Sequence, residues 1–205
     1  MAVFIATSNN GKLRDFAAAA GSRIELRAMP NLPSLPSVEE DGVTFESNAR
    51  KKAEHYSRYA AGELVLADDS GLEVEALRGA PGVRSARYAA DAGTLAANCS
   101  GHDVDVANNT YLLRQLSTTS NQSRNARFVC VLAVARDGHT LRTFEGEVRG
   151  EILAAPRGDG GFGYDPLFLV PHFDKTLAEL SPEEKAQVSH RGAAFRKFLD
   201  WFAPQ

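Results

Sequence analysis

The chain is poor in cysteine, carries no excess of positive charge and has no long apolar run. Its two cysteines, Cys99 and Cys130, form neither a C-x-x-C pair nor a disulfide framework, which excludes a disulfide-stapled scaffold. Cys130 lies inside Phe128-Val129-Cys130-Val131-Leu132-Ala133-Val134 and reads as a small buried hydrophobe. Lys and Arg total 23 against 26 Asp and Glu, a net charge of -3 that gives no footprint for a nucleic-acid polymer. An anionic small substrate would have to be drawn by local Lys, Arg or metal, because the global field does not attract it. The opening stretch, Met1 to Ala6, is too short for a signal segment or a membrane span. No internal repeat is present. These absences point to a cytoplasmic protein with neither a membrane nor a nucleic-acid polymer as partner.

What remains is the composition of an ordinary globular protein. At 205 residues the chain makes one compact domain, 1-205, with room for two lobes. A first strand, Val3 to Ala6, runs into Thr7-Ser8-Asn9-Asn10-Gly11-Lys12. An Ala-rich helix follows from about Leu13 to Ala20, and then a strand from Ile24 to Ala28. Prolines at 30, 33 and 36 make the next segment an extended loop. Thr44 reads as the N-cap of a helix reaching about Ala61. A strand spans Leu64 to Ala67, and Leu72 to Leu77 alternates as a half-exposed strand does. Residues 95 to 116 read as helical with a break at Ser100-Gly101-His102. Two strong strands, Arg127 to Arg136 and Leu141 to Arg149, are joined at the hairpin signature Asp137-Gly138-His139. The class is α/β or α+β with a mixed sheet.

Chemistry concentrates in four places. Asp68-Asp69-Ser70-Gly71 follows the apolar run, and two adjacent carboxylates repel each other unless a cation lies beside them. Hard oxygen ligands of this kind suit Mg²⁺, while Asp, Ser and Gly also favour a plain turn. Thr7 to Lys12 has the mechanics of a phosphate cradle, with backbone N–H groups and a helix N-terminus, but it is not a Walker A loop. Lys52 falls on the inward stripe of its helix with Asn48, a costly position unless an anion meets it or the side chain snorkels. Gly158-Asp159-Gly160-Gly161-Phe162-Gly163 matches G-x-G-x-x-G, yet Tyr164-Asp165-Pro166 and an apolar run follow in place of a helix. A dinucleotide fingerprint is therefore rejected. Phe162 and Tyr164 offer aromatic faces there and Asp165 an acceptor. Near the end, Ser189-His190-Arg191-Gly192 opens a last helix, with Lys185 just upstream. A His at a helix start is discouraged from charging. His102, Asp103 and Asp105 lie in a polar stretch and read as solvated surface.

The ordered set resembles the inosine triphosphate pyrophosphatase family through nearly the whole chain. It runs from Ala6-Thr7-Ser8-Asn9-Asn10-Gly11-Lys12 through Glu39-Glu40-Asp41-Gly42-Val43-Thr44-Phe45, Asn48-Ala49 and Ala67-Asp68-Asp69-Ser70-Gly71-Leu72. It continues through Gly79-Ala80-Pro81-Gly82-Val83, Ser85-Ala86-Arg87-Tyr88 and Gly160-Gly161-Phe162-Gly163-Tyr164-Asp165-Pro166 to Ser189-His190-Arg191-Gly192. Ser8 departs from the Gly of many relatives, and 95-125 matches poorly. The resemblance implies an elongated, two-lobed α/β fold: a central mixed sheet flanked by helices, an active-site cleft between the lobes, and a homodimer. It implies hydrolysis of non-canonical purine nucleoside triphosphates (ITP, dITP, XTP) to monophosphate and pyrophosphate with Mg²⁺. Asp69 would be general base and metal ligand, Asp68 its support and Glu40 the second ligand. Thr7, Ser8, Asn9, Asn10, Gly11, Lys12 and Lys52 would hold the phosphates, with Ser70 beside them. Phe162 would stack on the purine, with Gly163 and Tyr164 beside it, and Asp165, Lys185, His190 and Arg191 would read its edge. A metal-dependent phosphomonoesterase and a non-catalytic nucleotide-binding module are the rival expectations.

Overall fold

The computed structural model describes residues 3–96, 99 and 101–203. Its helices are α1 (Asn10–Ala20), α2 (Phe45–Ser57), α3 (Tyr88–Asp91), α4 (Gly101–Thr118), α5 (Pro182–Val188) and α6 (His190–Phe202). Its strands are β1 (Val3–Ile5), β2 (Leu26–Ala28), β3 (Leu64–Val74), β4 (Asn125–Arg136), β5 (His139–Ile152), β6 (Phe168–Val170) and β7 (Lys175–Thr176). They form one open mixed sheet in the order β2-β1-β3-β4-β5-β6-β7, as expected for the α/β class. The chain divides into two compact units. The first comprises Met1–Ser70, Cys130–Glu147 and Pro182–Gln205, the second Gly71–Val129 and Val148–Ser181.

In the first unit β1 lies between β2 and β3, parallel to both, with Ile5 opposite Leu66. The Ala6 amide donates to the Leu66 carbonyl at 2.8 Å, so the loop leaving β1 starts beside the Asp68 end of the neighbouring segment. That register, and not any local motif, brings Thr7–Lys12 to the Asp-Asp pair. The core is apolar and aromatic: Ile5, Phe16, Leu66, Cys130, Leu132, Phe195 and Phe198 are all buried in one cluster. Phe16 and Phe195 tie α1 to α6, with ring centroids 5.7 Å apart. The second unit buries Leu72, Val74, Leu112, Phe128, Leu167 and Phe168, and Phe128 packs on Phe168 at 4.8 Å between centroids.

Several sequence boundaries move, each for a physical reason. No bend separates Ala67 from Asp68: β3 runs on to Val74, because side chains on both sides satisfy the polar groups that would otherwise force a turn. Residues 75–77 then form a single tight turn, so the Leu72 to Leu77 strand is cut short. Helix α1 begins at Asn10, since the Asn9 side chain accepts from the Lys12 amide and supplies the cap three residues early. Thr44 caps α2 as expected, with a reciprocal Ser47 bond, but the helix ends at Ser57. The second strand covers only Leu26–Ala28. Helix α4 starts at Gly101. Leu95 and Ala96 are not helical, and the expectation for Ala97, Asn98 and Ser100 lies outside the described residues. The Asp137-Gly138 hairpin is present, with φ of 50° and 84°. Among the described residues no helix is long and apolar enough to cross a membrane.

Candidate active site

In the first unit, β3 delivers two carboxylates whose surroundings differ. Asp68 is 2 % exposed and bonded to the Lys12 ammonium at 3.0 Å. It also accepts from the Ser70 hydroxyl at 3.1 Å and lies 3.8 Å from the Arg191 guanidinium. Burial alone would raise its pKa. The charges of Lys12, Arg191 and Lys52 outweigh burial and hold it at about 2. Asp69 is placed otherwise. Its Oδ2 accepts from the Asn48 side-chain amide at 2.9 Å, while its Oδ1 accepts from the Ser70 amide at 3.0 Å and lies 3.7 Å from Lys52. Here burial prevails over Lys52 and Asn48, and the pKa is raised. Adjacent carboxylates whose pKa values are pushed apart are the signature of divided acid–base roles.

Lys52 has the partner that its inward position demanded. Its ammonium donates to Glu40 Oε2 at 2.9 Å, and it is 8 % exposed. Burial would lower its pKa, but Asp68, Asp69 and Glu40 together raise it, so it is held charged. The Asn48 side chain joins this cluster to the preceding loop, accepting from the Gly42 amide at 2.8 Å. Glu40 and Asp69 thus direct hard carboxylate oxygens at one cationic centre, which here is the ammonium. Among the described residues no three His, Cys, Asp or Glu side chains gather as a closed metal site. A two-carboxylate donor set fits a small divalent cation that keeps its waters and takes phosphate oxygens, and does not fit an all-protein cage.

On α1, Asp15 bridges two cations: Lys185 at 3.1 Å and Arg191 Nη1 at 3.2 Å. Arg191 Nη2 also donates to the Ser70 hydroxyl at 2.8 Å. Ser189 caps α6 by accepting from the Gly192 amide at 3.2 Å, which fixes the first turn carrying His190 and Arg191. His190 is wholly buried, and burial first, then Arg191, Lys185 and Lys12, holds its pKa well below the usual imidazole range. It is neutral, as its place at a helix start suggested.

The structure therefore gathers Lys12, Glu40, Lys52, Asp68, Asp69, Ser70, Lys185, His190 and Arg191 in the first unit. In the loop before α1, Thr7 Oγ1 accepts from the Asn9 amide at 3.2 Å and Ser8 and Asn9 are exposed; in the first turn of α1, Asn10 is exposed and Gly11 buried. In the second unit Asp165 is buried and accepts from the Phe162 amide at 2.9 Å. The Gly163 amide donates to Asp105 Oδ2 at 2.8 Å, and the buried Tyr164 hydroxyl donates to the Ser85 carbonyl at 2.9 Å. Phe162 is half-buried. Asp105 thereby corrects the surface expectation for its stretch: it is half-buried and bonded, while His102 and Asp103 are exposed. Asp15 escaped the sequence reading, because a polar residue one helical turn beyond Lys12 gives no local sign that it receives Lys185 and Arg191.

Comparison with known proteins adds an independent line. The model of the Ham1 family matches residues 3–201. A protein of Acidobacterium capsulatum named dITP/XTP pyrophosphatase is 52 % identical over 200 residues, covering 97 % of each chain. One of Lactiplantibacillus plantarum with the same name is 46 % identical over 206 residues, covering 98 % of this chain and 96 % of its own. The structure of a HAM1 protein from Coxiella burnetii aligns with a TM-score of 0.81 at 36 % identity, and the Staphylococcus aureus Ham1 protein with 0.78 at 41 %. Both cover 98 % of each chain.

Proposed function

The chain belongs to the Ham1 family, and on that premise we propose that it hydrolyses non-canonical purine nucleoside triphosphates (ITP, dITP and XTP) to the monophosphate and pyrophosphate. Near full-length relatives named dITP/XTP pyrophosphatase support the substrate class. The observation that carries the chemistry is the split environment of Asp68 and Asp69.

Asp69, bonded to the neutral Asn48 and Ser70 amides where Asp68 is bonded to the Lys12 ammonium, takes the proton of the attacking water. The water oxygen bonds to the α-phosphorus, the bond from that phosphorus to the αβ-bridging oxygen breaks, and pyrophosphate leaves. Asp68 stays ionised and anchors Lys12 and Arg191. Glu40 and Asp69 are the proposed holders of Mg²⁺, which when bound neutralises phosphate charge. Lys12 and Lys52, with Thr7, Ser8, Asn9, Asn10 and Gly11, hold the phosphates, and Ser70 keeps Arg191 in place. Phe162 stacks on the purine with the Gly163 and Tyr164 backbone beside it. Asp165, Lys185, His190 and Arg191 read its hydrogen-bonding edge.

Selectivity follows from donor–acceptor matching. Hypoxanthine and xanthine present oxygen at C6, where adenine presents an amino donor. A donor such as Arg191 meets the first and clashes with the second. One mispaired buried contact costs about 1–3 kcal/mol, so several act together. We further propose a homodimer working in the cytoplasm.

Replacing Asp69 with Asn tests the assignment. Turnover of ITP falls by about 10²–10⁴-fold, the range of general-base catalysis, while ITP affinity by calorimetry stays within a few-fold. A D69N enzyme with full activity would remove Asp69 from the chemistry.

A further inference from the structure

Helix α4 holds the aromatic loop by both backbone polar groups of one residue, Gly163. Asp105 Oδ2 accepts from the Gly163 amide at 2.8 Å, and Asn109 Nδ2 donates to the Gly163 carbonyl at 2.9 Å. The two residues are four apart on one helix, so they share a face and act as a pair. Next to this grip the Phe162 amide donates to Asp165 at 2.9 Å, and the Gly160 amide donates to the Ala178 carbonyl at 3.1 Å. Successive amides, Phe162 and Gly163, are therefore each received by a carboxylate. Gly161 and Gly163 have φ of 71° and 62°, the left-handed geometry that this close turn requires. A Cβ on Gly161 would collide with Asp165, so the loop has no room to relax inward.

We propose that Asp105 and Asn109 are positioning residues for substrate recognition: from α4 they clamp the Gly163 backbone on both its amide and its carbonyl so that Phe162 offers the purine a preset face. The inference rests on the stacking role assigned to Phe162. Its physical content is preorganisation. A loop already ordered before binding loses less conformational freedom when a base stacks on it, so affinity rises without any new contact to the ligand. Both residues bond the backbone of the stacking loop, so the benefit falls on binding of the nucleoside part and not on the chemical step.

The test compares Asp105→Ala, Asn109→Ala, Asp105→Asn and Phe162→Ala in the full chain, each with its Tm. We expect D105A and N109A to raise the KM for ITP and the inhibition constant of inosine monophosphate about tenfold, as a loosened platform would. Their kcat stays within twofold of the unmodified enzyme, and inhibition by pyrophosphate, which lacks a base, is unchanged. D105N, whose side-chain oxygen still accepts from the Gly163 amide, restores the normal KM. The proposal is overturned if F162A raises KM while D105A and N109A do not. It is also overturned if D105N is as impaired as D105A, or if pyrophosphate inhibition weakens in parallel. If F162A itself leaves KM unchanged, the stacking role fails and the clamp falls with it, an outcome distinguishable from failure of the clamp alone.

Discussion

The charges of the first unit alternate: Glu40, Asp69, Asp68 and Asp15 are separated by Lys52, Lys12, Lys185 and Arg191. Lys52 lies between Glu40 and Asp69 and Arg191 between Asp15 and Asp68, while Lys12 meets Asp68 and Lys185 meets Asp15, so each of these groups is compensated, the condition on which such a cluster survives. His190 is the exception in kind, because it is buried neutral. Its folded pKa is well below that of the unfolded chain, about 6.5. Below that pH the unfolded state takes up a proton that the folded state refuses. Its contribution to stability is therefore complete above about pH 6.5 and is lost as pH falls, with a slope approaching about 1.4 kcal/mol per pH unit. Urea denaturation between pH 7.5 and 5 should show that loss, and H190Q should flatten it; an equal acid limb in H190Q would contradict it. At this scale the sequence was informative where a residue broke a local rule. Lys52 on an apolar stripe and two adjacent aspartates both announced partners. Asp15 and Asn109 broke no rule, since polar residues on a helix surface need no explanation, and only the tertiary structure shows what they hold.

Among the elements, α6 matters most for the site because its first turn carries His190 and Arg191. It lies hard against β5 at Gly146, where a Cβ would collide with the His190 carbonyl and the Ala194 amide. G146A should push that turn off the sheet. The expected result is a stability loss of about 1–3 kcal/mol by denaturant titration, the usual cost of overpacking, with weaker use of ITP. A variant of unchanged stability and KM would show that the close approach is not needed. Helices with a chemical start signal were legible: Thr44 and Ser189 are both caps in the structure. Continuation of β3 through Asp68-Asp69-Ser70 was not, because those residue types favour turns when only local interactions count. Lys12, Asn48 and Ser85, all distant in sequence, supply the hydrogen bonds that keep the strand extended.

For the molecule as a whole, the order of motifs along the chain carried the family and the α/β class, while the parallel register of β1 with β3 carried the site. No single segment encodes that register, which is why Thr7–Lys12 read alone offered a phosphate cradle without showing that it lies beside Asp68. This constellation is expected to cleave non-canonical purine triphosphates between the α and β phosphates. The most direct measurement is product analysis in ¹⁸O-labelled water with Mg²⁺, supplying ITP, dITP, XTP, ATP and GTP in parallel. Expected are pyrophosphate from the first three, with the label in the nucleoside monophosphate, and far slower turnover of ATP, while GTP shows whether a feature beyond the C6 oxygen is read. Release of orthophosphate, label in pyrophosphate, or equal turnover of ATP would contradict it.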